Sequence, residues 1–533
     1  MGLFVPLTIV LTVGYVVGTT IYDLFFHPLA KYPGPFLCRI SRLPSFYHAC
    51  KGDRHIWSWQ QFQIYGSKFR AAPNMLLFDT PEAYNSLFSY KANVMKSGSY
   101  AAWARNKHDF NTLSTIDVAG HAKKRKLLAL AFTDQSVKAA QPFMARHIDR
   151  WNEVLPGETP GDDGWGEPRN MSTWADYLVF DVLGDLCFGK SFETKEPGEN
   201  KLKSIPHDIA DSMRILFPIT KSPALEFVLW LKPRGLDKLI ELATPQNMKD
   251  YFTFADSSAM QRLKAERDRE AVKAPVERED MFHFLCTARD PDTGELAFGE
   301  AELKSEATLL IVAGSDTTST TMAGLFFYLT HYPRVYAKLV KEIRQTFSSP
   351  EDIVHGPLLA SCHYLRACID EALRVGPPGP SEFERQVLPG GTTINGEFFP
   401  QGVVLGIPHW SLFRNERVCP DPNVFRPERW IVSDHEDTLN TPEQVSFLKR
   451  SYHPFGKGVG SCLGQKLAMQ QLSMTVARTL WRMDVRLAPG EEIGAGRPEL
   501  GWGRRDPNTY QLDDAYISLR NGPMVQFRER SGL

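Results

Sequence analysis

The sequence predicts a mainly α-helical fold with a minor β part, preceded by one N-terminal transmembrane helix. Three observations carry this. Segments with helical periodicity dominate, at 120–132, 172–189, 235–270, 300–331, 333–347 and 361–375. Short strand-like runs occur at 69–79, 385–406 and near the C-terminus, the second with Gly390-Gly391 and Asn395-Gly396 turns typical of hairpins. Leu3 to Tyr22 carries no charged side chain, and about 20 apolar residues cross a hydrocarbon core as a helix.

Composition sets the outer bounds. The chain has 533 residues, 43% hydrophobic and 23% charged. That supports a large core and excludes disorder as the dominant state. Lys+Arg is 61 and Asp+Glu is 62, a balance that argues against a nucleic-acid binder. None of the eight cysteines forms a CxxC pair, so a zinc ribbon or thioredoxin-type site is not expected. They are sparse enough to be reduced thiols.

At the N-terminus, Pro6 lies near the start of the apolar run, where a helix tolerates it. Lys31, Arg39 and Arg42 follow the run and no Lys or Arg precedes it. The positive-inside rule then puts the rest of the chain in the cytoplasm. A cleaved signal peptide needs a basic start and a shorter apolar stretch. Pro33-Gly34-Pro35 cannot continue a helix. The expected organisation is an anchor over 1–26, a proline-rich hinge over 27–36 and one large domain over 37–533.

The chemistry centres on His453 to Gly464, HPFGKGVGSCLG. Gly456, Gly458, Gly460 and Gly464 surround Cys462, and the residues that follow read as an amphipathic helix. A cysteine where a glycine-rich loop enters a helix meets backbone N–H groups and the positive end of the helix dipole, and both favour thiolate. Such a thiolate is an axial metal ligand or a nucleophile. A second feature lies within 300–331, where Ala313-Gly314-Ser315-Asp316-Thr317-Thr318 interrupts an apolar helix. Residues 313, 314 and 317 fall on nearly one face. A local bend there, with a freed carbonyl, could hold water or dioxygen.

Phe455-x-x-Gly458-x-x-x-Cys462-x-Gly464 resembles the haem-binding loop of the cytochrome P-450 superfamily. The family's cysteine is the proximal thiolate on haem iron, which implies that role for Cys462. The family commonly has Arg or His two residues before the cysteine, where this chain has Gly460. The segment from Ala313 is similar to the family's oxygen-activation motif. The resemblance implies that Thr317 stabilises dioxygen, that Asp316 with water supplies protons, and that Gly314 belongs to the same set.

Two further motifs support the resemblance. Glu371-Ala372-Leu373-Arg374, with Phe425-Arg426-Pro427-Glu428-Arg429-Trp430, is similar to the family's Glu-Arg-Arg network, implying a buried cluster of Glu371, Arg374 and Arg429. His121 and Arg125 stand at i, i+4 on one helix face and match positions that contact haem propionates, and Arg385 fits a further propionate ligand. All four motifs occur in family order, and the resemblance covers essentially the whole chain. FHPLAKYPGP and SEFERQVLPGG look like membrane-bound enzymes of filamentous fungi.

The resemblance implies a monooxygenase using haem b, with O2 and NADPH as co-substrates. Electrons would come from an NADPH-cytochrome reductase, with a cytochrome b-type protein as a further donor. It implies a single-pass protein of the endoplasmic reticulum membrane with its catalytic domain on the cytosolic side, acting in secondary-metabolite biosynthesis. A benzoate-type aromatic hydroxylase and a haem-thiolate isomerase or dehydratase are the alternatives. By family analogy the substrate small molecule meets segments 97–118, 205–230, 303–313 and 377–384, with Trp103, Phe110, Leu310, Ala313 and Phe383 as pocket candidates. Glu382 or Glu384 would read a polar substrate group or stand as a solvated charge.

Overall fold

The computed structural model describes residues 4–105, 109–158, 161–275, 280–290, 293–433 and 440–530. Residues 106–108 of the variable segment 97–118 lie outside these. Helix α1 spans Phe4–Ile21 and runs into a π-helical turn over Tyr22–Phe26. Met1, Gly2 and Leu3 lie outside the described residues, and among the described residues no helix is long and apolar enough to cross a membrane. The 18 residues of α1 rise about 27 Å, just short of a ~30 Å hydrocarbon core.

The stretch expected to be a hinge is packed onto the domain. Leu29 and Tyr32 are buried in the main core, and the Tyr32 hydroxyl donates to Glu397 at 2.7 Å. Arg70 N–H donates to Pro33 O at 2.7 Å. A Cβ on Gly34 would lie 2.5 Å from Arg70 O, so only glycine permits this approach.

The domain is built from helices around one long central helix, with a sheet at one side. The elements used below are α2 (Arg54–Tyr65), α3 (Val118–Leu128), α4 (Met171–Phe188), α5 (Ile205–Lys221), α6 (Glu300–His331), α7 (His363–Val375) and α8 (Gln465–Arg482). The core helix α6 packs against α4, α7 and α8. Its start is fixed by Glu302, whose carboxylate accepts the Gly299 N–H at 3.2 Å. The helix expected over 235–270 is two, Leu236–Ala243 and Gln246–Ala271, because Pro245 disfavours helical geometry before it.

The five-stranded sheet runs β1 (Lys68–Ala72), β2 (Met75–Phe78), β5 (Val404–Gly406), β4 (Arg385–Val387), β3 (Val94–Lys96) in spatial order. Strands β2 and β5 are parallel and the other neighbours antiparallel. Asn395 and Gly396 turn a separate hairpin of Thr392–Ile394 and Glu397–Phe399, both with positive φ. Register pairs Lys96 directly with Arg385. Two like charges opposite each other are unfavourable unless an anion joins them.

Candidate active site

The loop before α8 is shaped by its backbone. Cys462 N–H donates to Phe455 O at 2.7 Å, closing the loop on itself. Gly458 has φ +68°, and a Cβ there would sit 2.3 Å from Phe88 O. No other residue fits. Gly464 is different: its φ of −79° suits any residue. Its N–H and that of Gln465 face the Cys462 sulfur.

Cys462 is open to solvent but ringed by protein. This enclosure raises the thiol above its ordinary pKa, outweighing the Gly464 and Gln465 N–H groups and the Arg125 charge. The backbone N–H groups act toward thiolate, as the loop sequence led us to expect, but burial outweighs them. A bound metal cation would withdraw the proton.

Helix α6 has an exposed position of its own. Ala313 is the one exposed residue between Leu303 and Leu329, and Thr317, one turn on, is half-buried. An exposed alanine in the middle of a core helix marks a cavity wall. The helical assignment of α6 is continuous through 300–331. Its hydroxyls bond back to the carbonyl four residues earlier, Ser315 to Ile311 at 2.5 Å, Thr317 to Ala313 at 2.8 Å and Thr321 to Thr317 at 3.0 Å. This satisfies the polar groups inside the helix. Gly314 serves a close helix contact: a Cβ there would lie 2.9 Å from both Leu183 methyls of α4.

The cations gather at one end of the cleft. A cavity of about 170 Å3 is bordered by Phe88, Lys96, His121, Arg385 and Gly460. Arg125 donates to Ser461 O at 2.5 Å and to its hydroxyl at 3.0 Å, and Arg385 donates to Glu384 O at 2.9 Å. Lys96 donates to the carbonyls of Thr112 and Leu113 at 2.7 and 2.8 Å. Among the described residues, no carboxylate pairs with any of these three. Burial, then repulsion from Arg385, brings Lys96 down to about 7. Burial, then the charges of Lys96, Arg125 and Arg385, brings His121 down to about 4. A Cβ on Gly460 would lie 2.8 Å from Arg385 Nη2, so the guanidinium fills the space that a side chain at 460 would need. Sequence reasoning missed Lys96. Its only local trace is a basic residue ending a short strand, and it takes the β3–β4 register to bring it here.

These residues fit a haem. A dianionic edge would neutralise the unpaired cations, and the open sulfur lies in the same loop as Gly460 at their rim. Behind the loop, Glu371 accepts from Arg374 Nε and Nη2 at 2.9 and 2.8 Å, Arg429 Nε at 3.0 Å, Arg426 N–H at 2.9 Å and Trp430 Nε1 at 2.9 Å. Glu371, Arg374 and Arg429 are all buried. Burial alone would raise Glu371, but the two guanidiniums hold it at about 2.

The pocket candidates divide. Trp103 packs on Tyr516 with ring centres 5.2 Å apart, and Phe383 meets His409 and Tyr516 edge-on at 4.8 and 6.1 Å. Leu310 belongs to the main core, and Phe110 is half-buried. Tyr516, at the tip of the C-terminal hairpin, was not found from sequence. Glu382 and Glu384 are neither solvated nor free: both are buried and ion-paired to Lys221, and Glu382 also to Arg54.

The family described as Cytochrome P450 matches residues 52–506. The chain is 34% identical over 515 residues to cytochrome P450 monooxygenase poxM of Penicillium oxalicum, covering 96% of this chain and 93% of that protein. It is 33% identical over 528 residues to cytochrome P450 monooxygenase apf7 of Gibberella fujikuroi, covering 96% and 95%. A motif order spanning the chain and relatives aligned over nearly its full length lead to one conclusion: the chain belongs to the cytochrome P450 family, the oxygen-incorporating haem oxidoreductases.

Proposed function

We propose that this monooxygenase inserts one oxygen atom from O2 into an apolar organic substrate, by hydroxylation or epoxidation, in the biosynthesis of a fungal secondary metabolite. Electrons come from an NADPH-dependent flavoprotein reductase. The observation that supports the haem-thiolate reading best is the cationic cradle of Lys96, Arg125 and Arg385 at the edge of the loop that carries Cys462. Haem b, when bound, supplies the oxygen chemistry, made easier by an electron-rich thiolate ligand.

The chain's own residues supply the rest. Cys462 Sγ, once deprotonated, would hold the iron. Arg125, Arg385 and Lys96 would hold the haem's propionates, with His121 as a neutral donor beside them. Thr317 Oγ1 and Asp316 would hold and pass protons. Ala313 with Trp103, Phe110, Leu310 and Phe383 forms an apolar wall that excludes water and orients the substrate. The apolar run from Leu3 to Tyr22 attaches the chain to the endoplasmic reticulum membrane, with the domain in the cytosol.

The test is a titration of the holoenzyme followed at the haem Soret band. Benzoates come first, then fungal polyketides, terpenoids and alkaloids. A low-to-high-spin shift with a complex scaffold, followed by one 18O atom from 18O2 in the product, is the expected result. A shift with benzoates alone would move the reaction to aromatic catabolism. A product without 18O would overturn the monooxygenation.

A further inference from the structure

The Asp316 carboxylate is held by Arg520. Its Oδ1 accepts from Arg520 Nη1 at 2.8 Å, while its Oδ2 is buried with no partner. Arg520 lies just after the strand Ile517–Leu519, and its Nη2 also reaches Asp176 of α4 and the Ser319 hydroxyl. Ser319 Oγ in turn donates to Asp176 at 2.6 Å. One guanidinium thus bridges two carboxylates from two helices. Arg520 and Asp316 are 3% and 9% exposed, but Asp176 keeps 22% of its side chain open. The cluster therefore runs from solvent to the middle of α6.

We propose that Asp176 is the group that takes protons up from solvent for the reaction, and that Arg520 is the positioning residue that holds Asp316 between Asp176 and Thr317. This rests on the monooxygenase reading given above. The reaction returns one oxygen atom as water, so each turnover needs two protons at the α6 wall. Each arrives as follows. A solvent hydronium protonates the Asp176 carboxylate and leaves as water. The carboxylic proton passes to the unpartnered Oδ2 of Asp316, and Asp176 is again anionic. Asp316 then hands the proton to the hydroxyl of its sequence neighbour Thr317, which bonds to the Ala313 carbonyl until then, and recovers its charge. No electron moves in these steps.

The charges favour such an arrangement. Two carboxylates share one cation, so the cluster is one proton short of neutrality when both are ionised. Burial, only partly offset by Arg520 and reinforced by Asp316, raises Asp176 to about 6. Burial raises Asp316 as well, against Arg520. The other titratable groups facing the cluster are Tyr177 beside Asp176 and Tyr510 beside Arg520, both protonated at neutral pH. A carboxyl raised from its ordinary range toward neutrality is suited to feed a reaction run near neutrality.

The experiment uses holoenzyme with an NADPH-dependent flavoprotein reductase. NADPH oxidation is followed in H2O and D2O from pH 5 to 8, for the parent, Asp176→Asn, Asp176→Glu and Arg520→Lys. The reduced CO spectrum and the melting temperature of each variant are recorded first. A parent without the thiolate-type CO spectrum would defeat the haem reading itself. With that spectrum intact, Asp176→Asn should slow turnover on the order of tenfold. That is less than loss of a direct general acid, because Asp316 remains. Its solvent isotope effect should rise, and the decline in rate above pH 6 should vanish. Asp176→Glu should restore both. Arg520→Lys should show the enlarged isotope effect with a normal CO spectrum. Unchanged isotope effect and pH profile in Asp176→Asn would overturn the proposal, as would a loss explained wholly by a lower melting temperature and not rescued by Glu.

Discussion

Glu371→Gln is the sharpest probe of how the domain holds its haem-side core. The substitution keeps the shape but leaves Arg374 and Arg429 buried without their counter-charge. Two independent lines give its size. Glu371 sits at about 2 against an ordinary 4.5, which corresponds to roughly 3 kcal/mol of stability at neutral pH. Breaking a buried ion pair from one side costs about 3–5 kcal/mol. A depressed carboxyl stabilises above its unfolded pKa and stops doing so as it protonates. The parent should therefore lose this contribution as pH falls from about 4.5 toward 2, while the variant has none to lose. Urea unfolding followed by tryptophan fluorescence reads this directly. The gap between parent and variant should be about 3 kcal/mol at pH 7 and narrow steadily below pH 4.5. A gap under about 1 kcal/mol at pH 7, or one unchanged at pH 3, would refute the reasoning.

Other substitutions test the site piece by piece. Gly458→Ala should abolish the thiolate-type CO spectrum of the reduced protein, because its Cβ would meet Phe88 O at 2.3 Å in a backbone conformation with φ +68°; a normal spectrum would show that the loop has room. Gly314→Ala should cost about 1–3 kcal/mol of stability by overpacking against Leu183, and Leu183→Val should recover part of it in the double variant. Thr317→Ala should divert reducing equivalents to hydrogen peroxide at the expense of product, measured as the peroxide-to-product ratio; an unchanged ratio would remove Thr317 from oxygen activation.

Much of this was readable along the chain, for physical reasons that differ by residue. The Cys462 loop is legible because Gly458 is demanded by its own backbone and by the approach of Phe88. The central helix is legible from its length, and its hydroxyl-rich stretch does not break the helical assignment. The hydroxyls that look like an interruption in sequence are absorbed by carbonyls four residues back. What the sequence hides is long-range. Lys96 reaches the cationic cradle only through β3–β4 pairing. Arg520 meets Asp316 from 204 residues away. Glu382 and Glu384 look free until Lys221, at the end of α5, neutralises them. Proline-rich residues near 33 read as a hinge, and the buried Leu29 and Tyr32 beside them anchor that stretch to the domain.

The most direct test of the central claim is the reduced CO difference spectrum of the purified chain beside its Cys462→Ala variant, with haem content measured in both. A red-shifted thiolate band in the parent at one haem per chain, lost in Cys462→Ala, is the predicted result. The same red-shifted band in Cys462→Ala, or a parent that binds haem without it, would contradict Cys462 as the iron's ligand.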